Sequence, residues 1–443
     1  MAQGRAFPAP RAPACFPGHD RRGVEPAGPR STVGASRGTP GPGYGPCMNG
    51  PAGALERRIL NIVAARIRAG RLCVELPDGT DRTFEGRFPG PVATVTLHRW
   101  RLLRRVTTMG AIGLADGYVI GEYDAEDLEA FLELCALHLE PAYRTPVPRW
   151  LHAVGRTAWT VFGSPSRPRG PLTDIVQHYD LGNDFYAAWL DETMTYSSAL
   201  FTDDHMPLAE AQRAKYRRLA ERADIRPGDR VLEIGSGWGG FAVFLADELG
   251  CRVTTITVSK EQHDLVGKLV AERGLADRVD AQLQDFRAVD GAFDRVVSVE
   301  MMESIPQRLW DPFFAQLRER VRPGGTVGLQ LIVVADHHWQ SSNDHPDFVR
   351  RYIFPGGQVP SLGVLHGLAR RHGLAWREDE GFGRSYARSL AAWLANFDEA
   401  WPRIRELGFD ERFRRMWRYY LAYCGAGFES GRTDVRQIVL DRA

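Results

Sequence analysis

Hydrophobic and polar residues alternate in some segments of the first third of the chain and follow a helical period in others. Alternation over residues 71–84, on both sides of a Pro-Asp-Gly sequence, predicts a β-hairpin, and residues 92–97 alternate as a further strand. Helical spacing marks residues 55–67 and 125–139. We therefore expect a small α+β domain over residues 55–145.

From about residue 172 the pattern changes to short apolar strands that alternate with amphipathic helices. The predicted strands are 230–234, 252–258, 279–283, 293–299 and 326–332, and the predicted helices are 239–249, 261–273 and 311–321. Repeated units of this kind predict a mostly parallel, doubly wound sheet. The pattern then becomes helical and aromatic over residues 386–428. The predicted fold class is α/β, with a Rossmann-like domain over residues 172–443 that carries helical additions.

Two segments show neither period. Residues 1–47 contain nine Gly, nine Pro and six Arg, a composition that predicts a disordered segment. Residues 146–171 include the run Gly-Ser-Pro-Ser-Arg-Pro-Arg-Gly-Pro, in which prolines and glycines exclude regular structure. We expect this second segment to be a linker between the two domains.

Charge and cysteine content exclude some classes of function. The 56 Lys and Arg residues balance 55 Asp and Glu residues, so the net charge of +1 gives no overall field that favours nucleic acid. The six cysteines form no Cys-x-x-Cys pair, which excludes the usual zinc and disulfide patterns and fits a reducing cytoplasm. No stretch approaches the ~20 apolar residues of a membrane-spanning helix. We expect any membrane contact to be peripheral, and we predict no metal site.

A glycine-rich loop follows the first predicted strand of the large sheet. Gly235, Gly237 and Gly240 match a G-x-G-x-x-G pattern between a strand and a helix, where backbone N–H groups approach a nucleotide ligand. A dinucleotide site also needs an acidic residue about 20 residues further on to hold the ribose. The next strand ends in Thr-Ile-Thr-Val-Ser without one, and Glu233 instead precedes the loop. This arrangement favours another adenosine ligand over NAD.

Motifs of the second domain resemble, in order, those of the cyclopropane-fatty-acyl-phospholipid synthase family, which includes mycolic-acid-modifying relatives. The matching segments are HYDLGND at 178–184, LDETMTYS at 190–197, GSGWGG at 235–240, TVSKEQ at 257–262, YIFPGG at 352–357 and RMWRYYLAYC at 415–424. The resemblance implies a class I methyltransferase domain that binds S-adenosylmethionine. The implied cofactor-binding residues are Tyr196, Ser197, Glu233, Gly235, Ser236, Gly237, Trp238, Gly239, Thr257, Val258, Gln262 and Asp285.

The resemblance also implies a reaction. A methyl group passes from S-adenosylmethionine to the double bond of an unsaturated phospholipid acyl chain, and loss of a proton from that methyl group closes a cyclopropane ring. Because an alkene is a poor nucleophile, the site must align it closely with the methyl donor and exclude water. In the family the base is a bound bicarbonate, so bicarbonate is implied as a second small ligand.

The implied catalytic residues match the family pattern in part. Glu303 and Tyr386 match residues that hold the bicarbonate, and Ile332 matches a position that supports the anion through its backbone. Cys424 matches a family cysteine that is either catalytic or a packing residue. For a cysteine on an aromatic helix, the packing role is the more common one.

Three positions depart from the family pattern. Ser198, Gln330 and Ser304 stand where the family has a cysteine and two histidines, although each replacement still forms hydrogen bonds. The departures leave ring closure open. The alternative product is a methylene- or methyl-branched chain, for which a separate reductase is a further expectation. A non-catalytic lipid- or cofactor-binding relative is another alternative, and retention of Glu303 and Tyr386 opposes it.

The implied substrate sets the expected location. Phospholipid acyl chains lie in a bilayer, so we expect a cytoplasmic protein that is peripheral on the inner face of the cell membrane. Arg99, Arg101, Arg104 and Arg105 alternate with apolar residues, which fits either anionic lipid headgroups or an ordinary amphipathic helix. A homodimer is a further expectation.

Overall fold

The computed structural model describes residues 53–139, 181–344 and 347–443, which contain two β-sheets. The predicted disordered segment 1–47 and the predicted linker 146–171 lie outside the described residues, as do the first residues of the motif at 178–184. The division into two domains with that linker therefore stays a prediction.

The smaller sheet has four strands in the order β2-β1-β3-β4. Their bounds are β1 Ala69–Glu75, β2 Asp81–Glu85, β3 Phe88–Leu97 and β4 Tyr123–Ala125. The predicted hairpin is confirmed, because β1 pairs antiparallel with β2 across the Pro-Asp-Gly turn. β1 pairs parallel with β3, and β3 pairs antiparallel with β4.

Three helices accompany this sheet: α1 Ala54–Ala64, α2 Arg101–Val119 and α3 Leu128–Leu139. The helix predicted over 125–139 begins three residues later, because Ala125 is the last residue of β4 and pairs with Val95. Helix α2 is kinked at Gly110, where φ is 60°.

The larger sheet has seven strands in the order β10-β11-β9-β8-β5-β6-β7. Their bounds are β5 Arg230–Ile234, β6 Arg252–Thr257, β7 Val279–Leu283, β8 Phe293–Val299, β9 Val321–Val334, β10 Ala375–Gly381 and β11 Thr433–Asp441. Neighbours among β5 to β9 pair in parallel, whereas β11 pairs antiparallel with both β9 and β10. This topology confirms the predicted Rossmann-like α/β fold class.

Helices cover both faces of the larger sheet and extend beyond it. They are α4 Gly182–Ala187, α5 Leu208–Arg222, α6 Gly240–Asp247, α7 Lys260–Glu272, α8 Trp310–Arg320, α9 Asp336–Asp344, α10 Leu362–Arg371, α11 Gly383–Glu406 and α12 Glu411–Glu429. Three of them begin at side-chain caps: Ser259 accepts a hydrogen bond from Gln262 N, Ser361 accepts one from Val364 N, and Asp410 accepts one from Phe413 N. The predicted aromatic segment 386–428 is therefore two helices, α11 and α12.

Aromatic side chains from α4, α11 and α12 form the centre of one hydrophobic core. The Phe185 ring lies 5.0–5.4 Å from the rings of Phe409, Phe413 and Trp417. Helix α12 also packs against α2 and α3, so this core continues into the smaller sheet. The aromatic helices thus join the two sheets through one cluster of buried side chains.

We expect Phe185→Ala to lower the free energy of unfolding by about 3–5 kcal/mol, because it removes a ring that is 1% exposed and leaves a cavity among other rings. The matched control is Phe88→Ala, since Phe88 is 65% exposed and its loss is expected to cost about 0.5 kcal/mol or less. Urea unfolding monitored by circular dichroism measures both. Equal losses for the two variants would contradict the assignment of this core.

Candidate active site

The glycine loop leaves the carboxyl end of β5 and leads into α6. Gly235, Gly237 and Gly239 have φ values of 96°, 49° and 90°, in the left-handed region that glycine adopts without a Cβ penalty. A Cβ atom on Gly235 would lie 2.9 Å from Cγ of Met301. The N–H groups of Gly235 and Ser236 both donate to the carbonyl of Ile256 on β6. The loop therefore has a fixed shape and an open backbone towards the cavity.

The other implied cofactor residues border the same cavity. Trp238 Nε1 donates to Oδ1 of Asn183 at 2.8 Å, which ties the loop to α4. Thr257 Oγ1 donates to Oε1 of Gln262 at 2.7 Å, and the Val258 side chain is exposed. Asp285 follows β7, and the hydrogen bonds from Arg287 lower the pKa of its carboxyl group.

Tyr196 and Ser197 form hydrogen bonds with buried polar groups. The hydroxyl groups of Tyr196 and Tyr420 lie 2.7 Å apart. Lys215 Nζ donates to Ser197 Oγ at 2.7 Å. Burial lowers the pKa of Lys215 to about 7, against the opposing charges of Glu300, Asp191 and Glu233.

Glu233 lies beneath the glycine loop and is buried. Thr255 Oγ1 donates to Glu233 Oε2 at 2.5 Å. Burial raises the pKa of Glu233 to about 8, and the Thr255 hydrogen bond and the Lys215 charge only partly oppose that rise. The site thus contains a carboxyl group that changes charge near neutral pH.

Glu300 receives three hydrogen bonds just beyond the carboxyl end of β8. Its Oε1 accepts from Ser198 N at 2.9 Å and from Gln330 Nε2 at 2.8 Å. Its Oε2 accepts from the Tyr386 hydroxyl at 2.7 Å. Sequence reasoning did not single out Glu300, although its position directly after a strand of a parallel sheet is where such sheets place ligands.

Three residues of the implied catalytic set thus contact Glu300. Ser198 and Gln330 are fully buried and lie behind it, away from the cavity wall, whereas Tyr386 and Glu300 border the cavity. The Ser198 hydroxyl donates to the carbonyl of Ala199, so only its backbone N–H reaches the carboxylate.

Glu303 borders the cavity beside Glu300. Its Oε1 accepts from the backbone N–H of Ile332, which is the group that the resemblance assigns to the anion. Its Oε2 is buried and has no hydrogen-bond partner among the described residues. Burial and the neighbouring charge of Glu300 raise the pKa of Glu303 to about 8, so it is mainly protonated at neutral pH.

Cys424 also borders the cavity, on α12. Burial raises the pKa of its thiol far above the usual value. A thiol in such surroundings stays protonated and is a weak nucleophile. This favours the packing role over the catalytic one.

The cavity has a volume of about 1970 Å³ and runs from the glycine loop to the helices of the smaller sheet. Its far wall is apolar and is formed by residues of α1, α2 and α3, among them Ile59, Val63, Leu114 and Leu132. Aromatic rings of α4, α11 and α12 line the part near the carboxyl groups. One space therefore has a polar end beside the glycine loop and a long apolar end.

A family model described as mycolic acid cyclopropane synthetase matches residues 167–438 of the chain. The chain is 38% identical over 375 residues to a tuberculostearic acid methyltransferase of Mycobacterium tuberculosis. That alignment covers 82% of this chain and 86% of the relative. It is 33% identical over 340 residues to the cyclopropane-fatty-acyl-phospholipid synthase of Escherichia coli, which covers 76% of this chain and 85% of the relative.

Solved structures of cyclopropane synthases are similar to part of this chain. The cyclopropane synthase MmaA2 from Mycobacterium tuberculosis superposes with a TM-score of 0.56 at 28% identity, over 61% of this chain and 98% of that one. The mycolic acid cyclopropane synthase CmaA1 complexed with SAH and CTAB gives the same TM-score, identity and coverage. These matches support S-adenosylmethionine as the cosubstrate.

We expect Gly235→Ala to weaken binding of S-adenosylhomocysteine by about tenfold or more, because the new methyl group meets Met301 and a φ of 96° is strained for alanine. The matched control is Gly274→Ala, where φ is also positive but a Cβ atom meets nothing within 4 Å. Isothermal titration calorimetry compares the two variants. An unchanged affinity in Gly235→Ala would contradict the placement of the cofactor against this loop.

We expect the affinity for S-adenosylmethionine, relative to S-adenosylhomocysteine, to rise about threefold or more between about pH 6 and about pH 9. As pH rises through the raised pKa values of Glu233 and Glu303, both lose protons, and Lys215 loses its charge. The site therefore becomes more negative and favours the cationic sulfonium over the neutral thioether. A ratio that is constant across this range would show that these groups do not sense the sulfonium.

Proposed function

The chain belongs to the mycolic acid cyclopropane synthetase family of S-adenosylmethionine-dependent methyltransferases, and from that membership we propose that it alkylates unsaturated phospholipid acyl chains and closes a cyclopropane ring. The coarser activity, S-adenosylmethionine-dependent methylation of a lipid, follows from the relatives. The observation that carries the finer proposal is a single cavity that joins the glycine loop, two carboxyl groups and a long apolar wall.

The glycine loop fits S-adenosylmethionine. Gly235 and Gly237 border the cavity without side chains, and Glu233 adds a carboxyl group next to them. Gly239 does not border the cavity, and a Cβ atom there would meet Val266 on α7. Thr257 is the last residue of β6 and contacts Gln262 on α7, at the position where a dinucleotide site carries its acidic residue. When bound, this cosubstrate supplies an electrophilic methyl group on a sulfonium.

The apolar end of the cavity fits an acyl chain. Side chains of α1, α2 and α3, such as Ile59, Val63, Leu114 and Leu132, provide aliphatic contacts along this wall. Burial of a chain in such a space is favoured by about 0.8 kcal/mol for each methylene group. The chain would thus be drawn in by burial, and its double bond would meet the polar end.

The aromatic part of the cavity fits a reaction that passes through a carbocation. Tyr196, Tyr386, Tyr420 and Phe428 border the space near Glu300, and the Tyr386 and Phe428 rings are stacked with centroids 4.3 Å apart. Ring faces attract cations without reacting with them, and they exclude water that would trap the cation as an alcohol. The carboxyl groups of Glu300 and Glu303 border the same space.

A second candidate product is a branched acyl chain. It is favoured by the 38% identity to a tuberculostearic acid methyltransferase, which exceeds the 33% identity to the cyclopropane synthase. The two products share the methyl transfer and differ in the fate of the cation. A methylene-branched product would then need a separate reductase to become a methyl branch.

A peripheral position on the inner face of the cell membrane completes the proposal. Ile62, Met109 and Leu137 are 48%, 39% and 44% exposed, and all three border the cavity on α1, α2 and α3. Apolar side chains at the mouth of an acyl cavity would insert into the bilayer that supplies the chain. No described helix is both long enough and apolar enough to cross a membrane.

Three of the four arginines that could bind lipid headgroups form ion pairs within the protein. Arg101 and Arg105 pair with Glu122, and Arg104 pairs with Glu56. Their positive charge is therefore partly neutralised, and this supports an ordinary helix surface over a headgroup site. Apolar insertion is the contact that we retain in the proposal.

We expect residues 48–443, expressed in a bacterium that lacks cyclopropane synthase and fed methyl-deuterated methionine, to yield lipid acyl chains with a ring that retains two methyl deuteriums. The ring keeps two because one is lost on closure. Gas chromatography–mass spectrometry identifies it after mild catalytic hydrogenation, which leaves the ring intact and saturates alkenes. The matched control is Gly235→Ala.

The other outcomes discriminate between the candidates. A labelled chain that takes up hydrogen is a methylene or other alkene branch, and it would replace cyclopropanation by the second candidate. A protein that binds S-adenosylhomocysteine but labels no lipid, in cells that contain unsaturated phospholipids, would contradict lipid methylation.

A further inference from the structure

We propose that the carboxylate of Glu300, and not a bound bicarbonate, is the base that takes the proton from the methylated acyl chain. The inference rests on the proposed function and assigns the base for that same reaction. It holds for a ring or a methylene branch, because both products require a proton to leave the methyl-derived carbon.

The hydrogen bonds around Glu300 are those that an anion requires. Ser198 N and Gln330 Nε2 donate to one carboxylate oxygen, and the Tyr386 hydroxyl donates to the other. Gln330 is itself held by Gln437 Nε2, which donates to Gln330 Oε1 at 3.1 Å. A carboxylate with three fixed donors is oriented before substrate arrives, as a general base requires.

The same contacts leave bicarbonate without its implied partners. The donors of Ser198, Gln330 and Tyr386 are directed at Glu300, and the N–H of Ile332 is directed at Glu303. A bicarbonate at this position would adjoin the Glu300 carboxylate while those donors are occupied. Like charges at such short range in a buried site are strongly unfavourable. The protein therefore supplies the anion from its own chain.

The backbone of Glu300 is strained in a way that fits this role. Its φ is 48°, and among the described residues only Met194 and Asp224 are other non-glycine residues with positive φ. Such a conformation is unfavourable for a residue that carries a side chain. It is fixed by a hydrogen bond of 2.8 Å from Glu300 N to the Gln330 carbonyl. A glycine would adopt this φ without strain, whereas Glu300 adopts it at an energetic cost and places its carboxylate in the site.

The hydrogen bonds and neighbouring charges differ between the two carboxyl groups. Burial raises the pKa of Glu300, and the charge of Lys215 and the three hydrogen bonds oppose that rise. Glu303 has one such hydrogen bond and faces the charge of Glu300, so it holds the proton. Lys215 itself is fully buried, donates to Ser197 and does not border the cavity, which excludes it as the base.

The step is balanced within this site. A C–H bond of the transferred methyl group breaks, its electron pair forms the third C–C bond of the ring at the cationic carbon, and the proton passes to a Glu300 oxygen. The charge of the cation and that of the carboxylate cancel. Glu300 returns the proton to water after the product leaves, and no oxidant, reductant or further anion is consumed.

The experiment measures the wild-type enzyme on unsaturated phospholipid vesicles with S-adenosylmethionine, in buffer freed of carbon dioxide and in the same buffer with bicarbonate added. We expect the two rates to agree within about twofold, and Glu300→Gln to lower the rate by about 10²–10⁴-fold while it still binds S-adenosylhomocysteine. A wild-type rate that collapses without bicarbonate, or a Glu300→Gln rate within about threefold of wild type, would overturn the proposal.

Glu300→Gly provides a second readout. It removes the carboxylate, relaxes the positive φ and frees the donors of Gln330 and Tyr386, so we expect it to bind ¹³C-labelled bicarbonate by NMR and to regain part of the rate with bicarbonate or formate. The wild type is expected to show no bound label. The matched backbone control is Asp224→Gly, where φ is 53° and the residue does not border the cavity.

These results separate the two proposals. If the wild type methylates no lipid in either buffer, the proposed function fails and the inference fails with it. If the wild type methylates lipid only with bicarbonate, the function stands and the assignment of Glu300 fails.

Discussion

The carboxylate of Glu300 connects segments that are far apart in the chain. It follows β8, and it accepts hydrogen bonds from Ser198 before α5, from Gln330 on β9 and from Tyr386 on α11. A carboxylate that is removed from water without partners is costly, so each of these segments must be in place at once. Helix α11 is thereby fixed against the sheet at the carboxylate of Glu300, through the hydroxyl group of Tyr386.

The aromatic helices extend that constraint into the shape of the cavity. Helix α11 presents Tyr386 to the carboxylate and buries Trp393 and Phe397 in the core, while α12 packs on α2 and α3. The rings that stabilise the fold are thus continuous with the rings that border the reaction space. A site that must exclude water and tolerate a cation is built from the same residues that hold the two sheets together.

The strands of the parallel sheet were predictable because their apolar runs are local and bounded by turns. Arg230–Ile234, Val279–Leu283 and Phe293–Val299 have the predicted bounds. Strands β10 and β11 were not predicted: they are antiparallel additions at the sheet edge, and the charged sequence of β10 lacks the apolar run of a buried strand. The glycine loop was predictable because its spacing and its strand–loop–helix order are both local.

Local sequence therefore defined the fold class, the glycine loop and the family, because periodicity and motif spacing are properties of neighbouring residues. The partners of each polar group were set by the packing of distant segments. Ser198, Gln330 and Tyr386 are 132 and 56 residues apart in succession, and only the folded chain brings their donors onto Glu300 instead of leaving them for a free anion. Hydrogen bonds depend on positions within a few tenths of an ångström, and residue spacing along the chain carries no information at that scale.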